Sequence, residues 1–321
     1  MDKTNISKTI KIKSIVLLLA SFVLGGVCAA LRILVLSSDY IHSEGLYQNG
    51  RYYELFSAFA VGAGLVLFLL GLTFAAGKMR YTIREGSLLS IFANAFCGFC
   101  FLALAFSIFL SAKISGVGLA RLDSVLVVLS LVCAVSFLLE AFSRQDNLSA
   151  DALLIMMLSR PVVCLFISFY FYFDSSTVIH NSNKKVATLF FAIALLSLLY
   201  FVKLRCTEGK GWIFASVTAV SICYGITYVV PNLFWYFTKG EPMFLGIPFD
   251  VVGVALLTWL SSALLSLETP MVCENDQSIA ECEPISNSED ETAENGATED
   301  DTAECEPSDE KDTSADDGRT E

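Results

Sequence analysis

Long apolar runs separated by short polar connections make up most of the chain. Eight stand out, at about 14–37, 55–77, 88–112, 122–142, 152–173, 186–202, 211–237 and 247–267. A helix rises about 1.5 Å per residue, so roughly 20 apolar residues cross about 30 Å of hydrocarbon. Seven runs reach that length; the sixth, Val186 to Val202, is the shortest, and the sequence leaves open whether it crosses fully. The pattern predicts an all-α, polytopic membrane helix bundle of about eight transmembrane helices, with the lipid bilayer as its principal partner.

Composition agrees with the pattern. A mean hydropathy of +0.61 and 55% hydrophobic residues exceed what a soluble chain of 321 residues carries. The net charge of −12 conceals two opposed parts. From Glu268 onward there are 20 acidic and two basic residues, a net −18, against +6 for the first 267 residues. The expected organisation is a basic amino-terminus over 1–13, a transmembrane domain over 14–267 and an acidic tail over 268–321. The tail repeats "SEDETAE" and "TEDDTAE" ten residues apart and holds few large apolar residues, so it predicts disorder. Such a tail is either a passive solvated appendage or a docking segment for a basic cytoplasmic partner.

Lys and Arg are counted in the short connections because they set orientation. Eleven fall on the side of the amino-terminus and six on the other, which places both termini in the cytoplasm of a cell (cytoplasmic) membrane protein. The Lys184-Lys185 pair runs against that bias. Cys28-Ala29-Ala30 would suit a signal peptidase, but the apolar run continues to Leu36, longer than a signal core, and favours an uncleaved anchor.

The first outer connection, "SSDYIHSEGLYQNGRYYELF", contains Asn49-Gly50, a pair that suits a two-residue hairpin turn with positive φ at both positions. Tyr47, Tyr52 and Tyr53 flank it at the depth where tyrosine prefers to lie. The expected hairpin either rests on the outer surface or covers a mouth between helices, with His42, Glu44 and Arg51 facing solute. Asp39 and Glu44-Gly45-Leu46-Tyr47, after a span that includes Leu31-Arg32, resemble the first outer loop of some uncharacterised bacterial multi-span inner-membrane proteins. The resemblance covers about the first fifty residues; it implies an inner-membrane location and no particular activity.

Polar residues inside the runs are the candidates for function, because each must find water, a partner or a ligand. Arg160 lies in the fifth run, about 9 Å inside the expected boundary at 1.5 Å per residue. Glu140 closes the fourth run, and the short connection over 143–151 makes those two runs antiparallel neighbours, so Glu140 and Arg160 are expected to form an intramembrane charge pair. Pro161 removes a backbone donor, frees the Met157 carbonyl and predicts a kink. Arg32, Glu54 and Asp250 fall at one depth on the other side and form a candidate outer vestibule, unless each simply snorkels to water. In the seventh run Thr218, Ser221, Gly225, Tyr228 and Asn232 recur at steps of 3, 4, 3 and 4, on one helical face. Thr218, Ser221, Tyr228 and Asn232 are candidate solute-lining residues, and Pro231 is expected to interrupt the helix nearby. The same spacing of small and hydroxylated residues also makes an ordinary helix-packing face. The second run carries a plainer version in Ser57, Ala60, Gly64, Gly71 and Ala75.

Ten cysteines are present, six of them inside the runs. Cys97-Gly-Phe-Cys100 is a C-x-x-C pair, but a membrane thiol relay needs a second pair toward the oxidising side, and none is there. A soft-metal site near Met156 and Met157 is chemically allowed; small apolar packing is the simpler reading. No catalytic constellation, metal-ligand spacing or phosphate-cradling glycine loop occurs, so neither an enzyme nor a cofactor is expected. Short basic loops and an acidic tail argue against nucleic acid. The reading that emerges is binding or transport of a small solute within the bundle. The rival is a non-catalytic scaffold or sensor acting through the tail.

Overall fold

A computed structural model describes residues 3–38, 40–41, 46–47, 50–75, 81–83, 86–114, 120–142, 150–173, 182–206, 210–240 and 246–268. Eight helices carry the chain back and forth: α1 Lys3–Ser38, α2 Arg51–Gly71, α3 Leu88–Ile114, α4 Arg121–Phe142, α5 Ala150–Phe173, α6 Ser182–Cys206, α7 Gly211–Lys239 and α8 Ile247–Leu265. All eight are long and apolar enough to cross a bilayer, so the protein is a multi-pass helical membrane protein. The sixth, the shortest run in sequence, is a full-length helix, because Ser182–Lys185 and Lys203–Cys206 extend it with polar turns at both ends. The acidic segment from residue 269 lies outside the described residues, as do Asp39, His42, Glu44 and His180.

The end of the bundle that carries the start of α1 is called the near end and the opposite one the far end. Large apolar side chains such as Phe22, Val61, Leu65, Phe92, Phe106 and Val128 point outward from the bundle. In lipid these need no cover, since acyl chains are as apolar as leucine; the helices are held instead by close steric fit and interhelical hydrogen bonds.

Helix α7 is the central element. Most of its apolar window is buried, and it packs against α1, α2, α6 and α8. Its α2 side is fastened by hydroxyls: Ser216 donates to the Phe68 carbonyl at 3.2 Å, and Tyr224 to the Ala60 carbonyl at 3.1 Å. The small face of α2 meets them, with Gly64 against the Tyr224 ring and Gly71 against Ser216. On the opposite side of α7, Gly225 lets α6 and α8 approach. A Cβ there would lie 2.4 Å from Leu257 Cδ2 and 2.6 Å from Phe190 Cε2. Gly225→Val is therefore expected to cost about 1–3 kcal/mol through overpacking. The measurement is thermal unfolding of the detergent-purified protein; an unchanged midpoint would mean that α6 and α8 stand further from α7. Helix α7 ends where Gly240 adopts the left-handed conformation at φ 75° and returns its N–H to the Tyr236 carbonyl, a common helix stop.

The connection after α1 is a hairpin, but its turn is not the expected one. Strand β1, Tyr40–Ile41, pairs antiparallel with β2, Leu46–Tyr47, so the chain reverses between residues 41 and 46 rather than at Asn49-Gly50. Gly50 is extended, with φ −96° and ψ 153°, and begins α2. The positive-φ hairpin expected at Asn49-Gly50 is thus displaced by the helix start, where an extended residue is required before the first turn.

At the near end, β3, Thr82–Ile83, pairs with β4, Leu267–Glu268. Leu267 is fully buried and Glu268 reaches Lys11 at 3.3 Å, which ties the end of the bundle to α1. Tyr81 donates to the Phe74 carbonyl at 2.9 Å, and burial pushes its phenol up from the ordinary value.

Candidate functional site

Two buried polar clusters occupy opposite ends of the bundle. The far-end cluster is built around Arg32, about 9 Å in from the end of α1 at 1.5 Å per residue. Its side chain is fully buried. Nη1 donates to the Thr227 carbonyl at 2.6 Å and to the Tyr228 carbonyl at 3.2 Å. Nη2 donates to Asn183 Oδ1 at 2.8 Å and to Asn232 Oδ1 at 3.3 Å. The Thr227 carbonyl is available for a local reason. Pro231, four residues on, has no N–H, so the helical hydrogen bond to that oxygen cannot form. Helix α7 nevertheless runs unbroken from Gly211 to Lys239. The expected interruption at Pro231 is absent, and Arg32 brings a donor from α1 to the freed carbonyl.

Asn232 links the guanidinium to a carboxylate. While Oδ1 accepts from Arg32, Nδ2 donates to Asp250 Oδ1 at 2.9 Å. The Tyr228 ring packs against α8 beside Gly253. Asp250 is itself buried, one turn into α8. Four helices thus converge on one opposed charge pair with an amide between its members, and Arg32 Nε is left buried without a hydrogen-bond partner. Beneath the carboxylate the Tyr228 ring stacks on Phe190 at 5.8 Å and meets Phe171 and Phe191 edge-on at 6.4 and 6.1 Å; Phe249 closes on Phe171 at 5.2 Å.

Of the three residues expected to form an outer vestibule, Arg32 and Asp250 are thus joined through Asn232. Glu54 is not part of the group: it is exposed in the first turn of α2, where a carboxylate faces the helix amino-terminus and water and has no need of a buried partner. The face of α7 divides by depth. Tyr228 and Asn232 belong to the far-end cluster and Gly225 to a close-packed level. Ser221 and Thr218 lie about 16 and 21 Å from Asn232 along the helix, taking 1.5 Å per residue. Both are fully buried, and neither hydroxyl has a hydrogen-bond partner. Buried polar groups in folded proteins are usually paired, and the hydroxyls of Ser14, Ser130, Thr188 and Ser262 share the condition of these two.

The near-end cluster contains the second expected pair. Arg160 Nη2 contacts Glu140 Oε2, and Arg205 Nη1 contacts Glu140 Oε1, so one carboxylate holds two guanidiniums. Arg160 also donates through Nε to Ser136 Oγ at 3.1 Å and through Nη2 to the Ser136 carbonyl at 3.0 Å. Its Cζ stands 4.1 Å from the centre of the Phe137 ring, a cation–π contact. The hydroxyls of Ser136 and Ser159 gather on the Met156 carbonyl, one residue before the carbonyl that Pro161 frees. Helix α5 continues through the proline.

Sequence reasoning did not find Asn183, Thr227, Ser136, Phe137 or Arg205. Arg205 reads as a loop cation because it follows Lys203 at the polar end of its run, and Asn183 precedes the apolar run altogether. Only Thr227 left a local signal, four residues before Pro231. Among the described residues, the six cysteines within the helices' apolar runs are buried, and Cys97 donates to the Ala255 carbonyl at 3.1 Å, joining α3 to α8. Among the described residues no three His, Cys, Asp or Glu side chains group so as to hold a metal ion.

No family model, curated relative or solved structure matches this chain.

Proposed function

We propose that the protein binds a small solute between its helices and carries it across a cell membrane, with α7 lining the route. The observation that carries this reading is the polarity of the central helix. At one end it holds a bridged Arg32–Asn232–Asp250 group inside the protein, and deeper along the same face it presents the unpartnered hydroxyls of Ser221 and Thr218. Intramembrane charges facing a bundle interior are expensive and mark solute or ion pathways in transport proteins. In this reading the near end faces the cytoplasm, following the excess of Lys and Arg on that side, and the far-end cluster lies toward the outer surface. No energy-coupling module is evident in the sequence, so coupling comes from an ion gradient or a separate subunit.

The test is uptake into proteoliposomes of a panel of labelled amino acids, organic acids, amines, sugars and nucleosides. Asn232→Leu and Thr218→Leu are each expected to lower uptake per folded molecule at least tenfold, the first by setting an apolar side chain between Arg32 and Asp250 and the second by filling the route, with the folded fraction of each variant measured by its unfolding midpoint. Deleting residues 275–321 is expected to leave uptake intact. Uptake indifferent to both substitutions removes α7 as the route. The rival role, a scaffold or sensor working through the acidic tail, predicts the reverse: loss of the cellular phenotype on truncation and none on substitution.

A further inference from the structure

The geometry points to a zwitterionic solute, an α-amino acid with an apolar or aromatic side chain, bound between Arg32 and Asp250 in the place now filled by the Asn232 amide. This rests on the solute-binding reading above and names the class of solute that the far-end cluster takes.

The argument begins with what Asn232 does. Its oxygen satisfies a cation and its nitrogen an anion, at 3.3 and 2.9 Å, so the amide serves as a spacer with an acceptor facing Arg32 and a donor facing Asp250. The two atoms are about 2.3 Å apart by ordinary amide bond lengths. In an α-amino acid a carboxylate oxygen and the ammonium nitrogen can approach to about 2.7 Å by the standard N–Cα and Cα–C lengths. The head group therefore has the amide's polarity and nearly its span. It makes the same two connections with full charges, and charge-assisted hydrogen bonds are roughly twice as strong as neutral ones. Two features leave room for improvement on the amide. The Asn232 contact to Arg32 is the longest of the four that the guanidinium makes, and Arg32 Nε has no acceptor. A carboxylate, with two oxygens, fits a guanidinium edge in a bidentate fashion that a single amide oxygen cannot.

Charge balance selects among solutes. Arg32 and Asp250 sum to zero, so a zwitterion leaves the buried charge unchanged. An anion alone satisfies Arg32 but sets a second negative charge beside Asp250. An amine alone satisfies Asp250 but leaves its positive charge facing Arg32. The remainder of the solute meets an aromatic wall of Tyr228, Phe171, Phe190, Phe191 and Phe249, which suits an apolar or aromatic side chain.

The experiment is equilibrium binding to the detergent-purified full chain, read by thermal shift and by scintillation proximity. Four probes share one aromatic tail: L-phenylalanine, 3-phenylpropionate, 2-phenylethylamine and the neutral 3-phenylpropanamide. L-Phenylalanine is expected to bind at least tenfold more tightly than the other three. Asp250→Asn is expected to abolish that preference by weakening phenylalanine at least tenfold while raising 3-phenylpropionate to within threefold of it. Asp250→Asn keeps the shape and the hydrogen bond to Asn232, and its fold is checked by its unfolding midpoint. Should it fail to fold, N-acetyl-L-phenylalanine and L-phenylalaninamide supply the comparison on the unaltered chain, since each lacks one charge of the zwitterion and each is expected to bind at least tenfold more weakly than L-phenylalanine. Equal binding of the propanamide, or preference for either singly charged probe, overturns the zwitterion assignment. A member of the solute panel from another class that binds more tightly than L-phenylalanine overturns it too, while leaving the solute-binding function standing. Binding of no solute at all overturns both.

Discussion

Glu140→Leu is expected to be among the most damaging single substitutions in the transmembrane domain, at about 3–5 kcal/mol, the usual cost of leaving a buried charge without its counterion. The carboxylate faces two guanidiniums, and Arg160 is buried and, among the described residues, keeps Ser136 and the Phe137 ring once the carboxylate is gone. Arg160→Leu should cost less, because Glu140 keeps Arg205. The double replacement Glu140→Leu/Arg160→Leu should recover part of what Glu140→Leu loses, since Arg160, the more deeply buried of the two guanidiniums, is gone while Arg205, its side chain 6% exposed, remains. Recovery stops short of complete, because Arg205 has lost a partner; it lies next to the exposed Cys206, where its long side chain can extend toward water. The readouts are the yield of folded protein and the unfolding midpoint in detergent. A double variant no more stable than Glu140→Leu would mean that Glu140 and Arg160 do not interact.

Arg32→Leu is expected to be comparably costly, about 3–5 kcal/mol, for a different set of reasons. It takes from the Thr227 carbonyl the donor that replaces the missing Pro231 N–H, removes the donor to Asn183 and Asn232, and deprives Asp250 of the cation to which Asn232 links it. Arg32→Leu/Asp250→Leu should be more stable than the sum of the single losses, with a coupling of about 0.5–3 kcal/mol, the range for residues in one hydrogen-bond network. Because Asn232 carries the connection, the coupling should shrink when the cycle is repeated with Asn232→Ala. Unfolding in detergent measures all of these. Additivity of Arg32→Leu and Asp250→Leu to within about 0.5 kcal/mol would make the two charges independent.

The two clusters differ in how far they could be read from the chain. Glu140 and Arg160 belong to consecutive helices joined by a short connection, so the sequence constrains them to antiparallel neighbours at similar depth. Arg205 lies on the next helix, and whether α6 returns beside α4 is decided by packing. The far-end group is further from legible. Arg32 and Thr227 are 195 residues apart, and the contact depends on α1 lying directly against α7. Depth could place Arg32 and Asp250 in one layer, but Glu54 lies in that layer as well and is excluded only because its side of α2 faces away from the cluster. The reading of Pro231 shows the same division. A missing donor follows from proline chemistry alone, but which group answers the freed carbonyl depends on the element packed beside it.

What the chain determines by itself is therefore one-dimensional: eight crossings, the level of each charged residue, and the shared face of Thr218, Ser221, Tyr228 and Asn232. These come from helix rise, helix period and the cost of polar groups in hydrocarbon, none of which requires a neighbour. The central place of α7, the two-guanidinium hold on Glu140 and the amide bridge from Arg32 to Asp250 were decided by tertiary structure. Every helix here is apolar enough to sit in lipid, so hydrophobicity cannot choose its neighbours. Gaps at Gly71 and Gly225 and the search of each buried donor for an acceptor make that choice.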